Sequence, residues 1–586
     1  MEYIISLCGA FVLLILTLLI MRKKKNRLPW LLGGVAAMLL CLILPFSLDG
    51  SFPNIIKGII LSFLQVLQVF SLGMNFQLDL KSFGTLPSGF SWTYILLLAV
   101  LYLSAPTLTL GIVLSLFKNV SAQFRWCFSD KRNVVVMSCI NERTVILADS
   151  MEGKFLCIFC DGESGAQRFA VPHTLQAIVL NEPVSELKTG IFRRSGALTV
   201  ILGKDDEQEN LADALTVIDR MKQESRSRTD PILYVFSTRP EAELVLDGTT
   251  NLRERVPGGK IHIRRIDEAR ALIYDLLSVP ESRETGDGKP WSIFDTATEE
   301  NGKKEIRVLI VGCGHFGREM MKALPWCCVH EEYHLTVNVI EKERIRKQLE
   351  LQYPGLMFPE SLPDRDEIAY KIQVRDETDL FSVDFESPEG RALYGNTGLV
   401  AVCLGDDALN LKAAIYLREV FSRMEPGAGP YIMTDVSELG DNIEMRFCGS
   451  KKAECDYRLH AIGRKRIYSV KCLMAPEIER FALALHKVWD PSDDNFYAYD
   501  YNYRSSMAEA LFWLNRKRLG MDVSPSAENM ALEHRRWNAY MRSEGFRTAE
   551  KKNLLARQHP LIGGAAQEAD EIPMKLLEEM HDELST

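Results

Sequence analysis

The sequence predicts a multidomain chain: an N-terminal α-helical membrane module, two α/β domains built on parallel sheets, and a mainly α-helical C-terminal domain. Three observations predict it. Long uncharged apolar runs are confined to residues 1–118. Beyond them, short apolar runs alternate with helical periodicity in two successive stretches, the pattern of a parallel sheet covered by helices. From residue 475 onward, amphipathic helical patterns replace the strand-like runs. The expected domains are 1–118, 119–290, 303–470 and 475–586, a reasonable division of 586 residues at ~150 per domain.

In the first domain, residues 4–21, 30–48 and 92–117 are free of charge and long enough to cross a bilayer of ~30 Å. The basic cluster Arg22–Arg27 follows the first run and Glu2 precedes it, the reverse of a cleaved signal peptide. Residues 55–74 differ, because Ser62, Gln65, Gln68 and Ser71 recur every third position and form one polar stripe. If both the 22–27 cluster and the basic residues after 118 face the cytoplasm, the number of crossings is odd and 55–74 re-enters or lies at the interface, followed by a linker over 75–91. Four plain spans are the other reading, and the sequence leaves both open. Ser82–Gly89 carries two glycines but no TVGYG-type filter, so potassium selectivity has no support here.

The remaining residues, 119–586, hold 61 basic and 75 acidic side chains, a net charge of −14. This argues against a groove for long nucleic acid, which needs clustered Lys and Arg. The 13 cysteines are scattered, which fits a reducing compartment.

The second α/β domain carries the clearest motif. An apolar strand at 306–311 runs directly into Gly312-Cys-Gly314-His-Phe-Gly317 and a helix through Leu324. In this G-x-G-x-x-G pattern the first glycine makes the tight turn, the second admits a pyrophosphate, and the third lets helix pack on strand. The phosphate then sits on free helix N–H groups. The next strand, 335–340, ends in Glu341, an acid suited to a ribose diol. Further strands are expected at 370–374, 399–404 and 431–434. The first α/β domain shows strands at 133–137, 155–159, 197–202, 232–236 and 260–266, then a helix at 267–277. Its first turn, Ser138-Cys-Ile-Asn-Glu-Arg-Thr144, lacks the glycines, so this copy is structural or binds something else. The polar stretch 279–302 reads as the linker between the copies.

Residues 306–436 resemble the TrkA-N or RCK domains that regulate bacterial potassium channels and transporters. The resemblance rests on Gly312, Gly314, Gly317, Glu341, the run Arg375-Asp376-Glu-Thr378, and Gly405-Asp406-Asp407. It implies a Rossmann-like fold and a nucleotide site formed by Gly312, Gly314, His315, Phe316, Gly317, Glu341, Asp376 and Asp406. The ligand implied is NAD(H) or another adenine nucleotide, whose binding energy passes to a membrane partner. Residues 132–279 resemble a divergent second copy.

No reaction chemistry is legible. His315 lies in the phosphate turn, where it caps or faces solvent; His330, His334 and His486 have no metal-spaced partners. The Cys157–Cys160 pair falls along a strand, and Cys327-Cys328 has no second pair at zinc spacing. No catalytic and no metal-binding residues are therefore expected.

The C-terminal domain reads as helices at 476–489, 505–518 and 529–543, the last ending at Gly545 in a left-handed cap. The third places Glu533, Arg536, Trp537 and Tyr540 on one stripe. Such a stripe can stack a purine and hold a phosphate, or pack Trp537 in the core while Glu533 and Arg536 pair internally. Asn502, Arg504, Ser505 and Ser506, then Leu532-Glu-His-Arg-Arg-Trp537, Glu544-Gly-Phe546 and His559-Pro-Leu561, resemble the RyR domain, the ryanodine-receptor repeat. That family's aromatic after the final His-Pro is missing here. The resemblance implies a second ligand site at Asn502, Arg504, Glu533, Arg536, Trp537 and Tyr540, taking an ADP-ribose or cyclic nucleotide.

These readings converge on a regulatory protein of the inner membrane, with its soluble domains in the cytoplasm. It senses a nucleotide, forms a homo-oligomer, and gates or regulates an ion-conducting or membrane-perturbing module. An NAD-dependent membrane-anchored enzyme and a non-catalytic scaffold are the alternatives.

Overall fold

A computed structural model describes residues 2–23, 28–47, 52–70, 88–151, 153–160, 177–187, 189–224, 229–239, 242, 245–246, 261–279, 292–300, 302–362, 364, 367–424, 429–436, 459–474, 477–489, 496–497 and 500–579. The chain divides into two compact units, Met1–Phe128 and Ser129–Thr586.

The first unit is a bundle of four helices: α1 (Glu2–Lys23), α2 (Leu28–Ser47), α3 (Phe52–Phe70) and α4 (Ser88–Phe128). Helix α2 packs against the other three. Gly34 lets α1 approach closely, since a Cβ there would lie 2.3 Å from the Thr17 hydroxyl. The bundle is apolar inside and outside. Leu39, Leu42, Val66 and Leu98 are buried, yet Ile5, Trp92, Leu96 and Leu103 are each at least 65% exposed. Some polar groups turn inward: Ser62 is buried and donates to the Gly58 carbonyl, and the buried Tyr94 hydroxyl donates to the Leu42 carbonyl, whereas Lys57 and Gln68 are exposed. Within α4, Ser91–Thr109 is long and apolar enough to cross a membrane; Tyr3–Thr17, Leu31–Pro45 and Ile55–Phe70 are shorter apolar stretches among the described residues. Two expectations change. The helix expected over 92–117 continues to Phe128, which moves the boundary from 118 to 128, and residues 88–91 belong to that helix rather than to a linker. The rest of that linker, and most of Ser82–Gly89, lies outside the described residues.

The second unit begins with a six-stranded parallel sheet. Its elements are β1 (Asn133–Met137), α5 (Glu142–Asp149), β2 (Leu156–Phe159), β3 (Ala177–Val179), β4 (Ala197–Leu202), α6 (Glu207–Glu224), β5 (Ile232–Phe236), β6 (His262–Ile266) and α7 (Glu268–Leu277). The strands lie in the order β3-β2-β1-β4-β5-β6, that of the doubly wound dinucleotide fold. Sequences such as NVVVM and LCIF are buried along almost their whole length, as a sheet covered on both faces requires. Strand β3 has only three residues and escapes sequence reading.

A second sheet repeats this order as β10-β9-β8-β11-β12-β13. It comprises β7 (Thr298–Glu300), β8 (Lys303–Val311), α8 (His315–Cys327), β9 (Tyr333–Ile340), β10 (Tyr370–Arg375), β11 (Leu399–Val402), α9 (Asp407–Met424), β12 (Tyr431–Asp435) and β13 (Leu459–Ile462). Strand β7 pairs antiparallel with β8, so the end of the expected linker is ordered structure. The repeat extends to single side chains. Asn210 accepts from the Lys204 amide and donates to the Phe236 carbonyl; Asn410 accepts from the Leu404 amide and donates to the Asp435 carbonyl. In each copy one asparagine ties the loop after the fourth strand to the end of the fifth.

The C-terminal helices are α10 (Glu477–Trp489), α11 (Asp500–Arg518), α12 (Ala527–Ser543) and α13 (Ile572–Glu579), with a short parallel pair, β14 (Arg547–Thr548) and β15 (Gln558–His559). Helix α11 starts at Asp500, so the segment 501–504 is its first turn rather than a lead-in. Gly545 adopts φ +80° after α12, the expected left-handed cap. This region shares one core with both sheets: Met137, Leu272, Met320, Trp326, Phe512 and Leu532 belong to a single buried cluster. Asn515 joins the end of the first copy to it, donating to the Leu277 carbonyl and accepting from the Val279 amide.

Candidate functional site

The second sheet changes direction between β8 and β11, where doubly wound folds open a crevice at their strand ends. Strand β8 ends at Val311, and Gly312 turns the chain with φ +92°. A Cβ on Gly312 would come within 2.4 Å of the Cys403 carbonyl, and one on Gly317 within 2.1 Å of the Gly312 carbonyl. At Gly314 a Cβ would meet nothing within 4 Å. The three glycines thus divide as the motif requires: one for the turn, one for open approach, one for close packing. Gly314 is also the N-cap of α8, whose first amides lack helical acceptors. The Cys403 thiol donates to the Gly312 carbonyl at 2.9 Å and braces the turn from β11.

Glu341 stands beside this turn. One carboxylate oxygen accepts from the Cys313 amide at 2.5 Å and the other from the Glu343 amide at 3.1 Å. Asp376, at the end of β10, accepts from the Arg346 amide at 2.9 Å. Asp406 accepts from the Leu409 amide at 2.7 Å and so caps α9. All of these residues therefore follow the C-terminal ends of strands in one sheet, with Asp376 and Asp406 stabilising the loops. Phe316 is half-buried and packs on the core.

His315 has a partner that the sequence did not suggest. Its Nε2 lies 2.9 and 3.0 Å from the two carboxylate oxygens of Asp267, the N-cap of α7 in the first copy. Arg318 was also missed, although a cation directly after the third glycine was a visible signal. Its Nε is enclosed without a hydrogen-bond partner. Burial pushes the neighbouring Cys313 thiol up to about 11, with the Arg318 cation opposing. That thiol stays protonated and unreactive at neutral pH.

In the first copy the corresponding turn is filled by its own side chains. Ser138 accepts from the Gly203 amide, while Asn141 and Arg143 donate to the Gly203 carbonyl at 2.7 and 2.8 Å. Arg143 also pairs with Glu268 at 2.6 Å, and Glu268 accepts from the Tyr468 hydroxyl. In place of the missing glycines stands a closed polar plug, which leaves a dinucleotide phosphate no open approach at this turn.

The C-terminal stripe faces inward. Arg536 is fully buried and forks onto Glu533 at 2.6–3.0 Å, while Trp513 donates to the same carboxylate at 2.7 Å. Tyr540 is buried edge-on against Trp326. Arg504 is buried between Asp500 and Glu544, at 3.1 and 2.8 Å. Asn502 is half-buried in the first turn of α11. Of the α12 stripe, Trp537 alone is partly exposed, edge-on to His559. The internal-pairing alternative describes Glu533 and Arg536, and of the six residues only Asn502 and Trp537 are not buried.

Arg504 belongs to a larger arrangement. A chain of buried charges alternates in sign from Arg265 through Asp500, Arg504, Glu544, Lys322 and Glu319 to Arg270, with contacts of 2.8–3.1 Å. It begins and ends at the β6–α7 corner, crossing α11, the end of α12 and α8 on the way. Burial opposes ionisation of Glu319 and Glu544, but facing Arg270, Arg504 and Lys322 outweigh it and hold both carboxyls well below the usual range. Asp267 is likewise held low: burial raises it, and the His315 bond and Arg270 more than compensate.

No protein-family profile matches the chain, and no curated protein does. Solved structures similar to it include GsuK bound to ADP, at 14% identity over 78% of this chain and 96% of that one, with a TM-score of 0.30. The GsuK channel is 11% identical over 76% and 83% at a TM-score of 0.32, and the GsuK RCK domain 11% identical over 58% and 75% at 0.31. Strand order and turn geometry, rather than these overlaps, assign two Rossmann-like domains.

Proposed function

We propose that this chain is a membrane-anchored nucleotide sensor of the RCK and RyR-domain type. An adenine nucleotide, NAD(H) being the first candidate, binds at Gly312–Gly317 with its ribose diol on Glu341. The observation that carries the reading is the contrast between the two turns. One is closed by Asn141 and Arg143; the other is open at Gly314, with helix amides, Arg318 and a pinned carboxylate around it. A fold kept only for its shape has no need of that difference. The first unit supports membrane residence, because large apolar side chains such as Ile5, Trp92, Leu96 and Leu103 dominate its exposed surface while Ser62 and Tyr94 are buried. Four helices enclose little space, so a conducting or membrane-perturbing assembly would require several copies.

Calorimetric titration of the full chain in detergent with NAD+, NADH, ATP, ADP and ADP-ribose, followed by ion flux from proteoliposomes, tests this reading. Saturable binding together with nucleotide-dependent flux supports it; flux indifferent to a bound nucleotide removes the regulatory half.

A further inference from the structure

We propose that the His315–Asp267 contact is a latch through which an anion at the Gly312–Gly317 turn displaces helix α7 of the first copy. The inference rests on the nucleotide reading above and names the way that site is read out. His315 is the first residue of α8 and follows the open Gly314 directly, yet its ring is held by both oxygens of a buried carboxylate. Asp267 in turn caps α7 by accepting from the Arg270 amide at 3.2 Å. A phosphate arriving on the α8 amides therefore meets a like charge and competes with it for the same imidazole. Asp267 cannot withdraw without unseating the first turn of α7.

That turn has little freedom elsewhere. Glu268, the next residue, is fixed by Arg143 and Tyr468, the plug of the closed turn. Arg270, two residues on, pairs with Glu319 on α8, and Arg265, two residues before Asp267, pairs with Asp500. The corner that carries the latch is thus also where the buried charge ring begins and ends. An anion at one turn acts on a helix of the other copy and on the C-terminal helices tied to it. Such coupling requires different anion affinities with the latch closed and open, and the competition for His315 supplies that difference.

Asp267→Asn tests this, since asparagine retains a capping oxygen and removes the charge. ADP and NAD+ are titrated into the full chain in detergent, wild type and D267N, and amide exchange is followed over residues 262–278. The expected result is binding tighter by on the order of tenfold in D267N. In the wild type, nucleotide should speed exchange in the first turn of α7, and in D267N it should not. Equal affinities with exchange indifferent to nucleotide would overturn the latch. Binding by neither chain would overturn the nucleotide reading, and the latch with it. The wild-type exchange measurement decides the matter even if the variant folds poorly.

Discussion

Gly314 and Gly317 sit three residues apart and tolerate opposite things. A side chain at 314 enters open space, so Gly314→Asp should unfold at the wild-type denaturant concentration, within ~0.5 kcal/mol, while losing nucleotide-induced stabilisation. A methyl at 317 collides with the Gly312 carbonyl, so Gly317→Ala should cost about 1–3 kcal/mol in the same urea titration. His330 makes a prediction in pH. Burial first, and then the Arg516 cation, lower it to about 3; it stacks on Phe512, and Arg516 is itself paired with Glu331. The unfolded chain takes up this proton near pH 6.5 and the folded chain only near 3, so stability is full above 6.5 and falls as pH drops through that window. His330→Gln should flatten the slope of urea midpoint against pH between 6 and 4. The glycines were legible in the sequence because each is a local steric requirement. Asp267, as partner of His315, was not, since nothing local in either segment records a contact between two domains.

Among the elements, the β6–α7 corner and helix α8 matter most, because the charge ring passes through both. Removing one member of a buried pair leaves the other uncompensated, so Glu544→Gln should destabilise the second unit by about 3–5 kcal/mol. Replacing Arg504 and Glu544 together by apolar residues should cost much less than the sum of the single changes, which a double-mutant cycle would show. Strands such as β1, β4 and β5 were legible to the residue, because a sheet covered on both faces imposes continuous Val, Ile and Leu. Strands β3 and β13 were not: one has three residues, and the other, LHAI, carries a histidine inside a four-residue run. The inward face of α12 was legible only as one of two alternatives. Glu533 and Arg536 satisfy each other as well as they would satisfy a ligand, and the partners that decide between these, Trp513 and Trp326, come from other helices.

On the scale of the whole molecule, a helical unit with many exposed apolar side chains is followed by a second unit containing one closed and one open copy of the same fold. The division was legible because the long uncharged runs of the first unit differ in composition from the short alternating runs that follow. The merging of two sheets and the C-terminal helices into one compact unit was not, because it depends on side chains such as Asn515 meeting distant backbone. The central claim is that the open turn is where nucleotide binds. The most direct measurement is a thermal-shift panel on the full chain in detergent, with NAD+, NADH, ATP, ADP, ADP-ribose and cyclic nucleotides, repeated with Gly314→Asp and Trp537→Ala. A nucleotide at 100 times its dissociation constant should stabilise the wild type by about 2.7 kcal/mol. The account predicts that this shift disappears in Gly314→Asp and survives in Trp537→Ala; no shift with any nucleotide, or one abolished by Trp537→Ala alone, would contradict it.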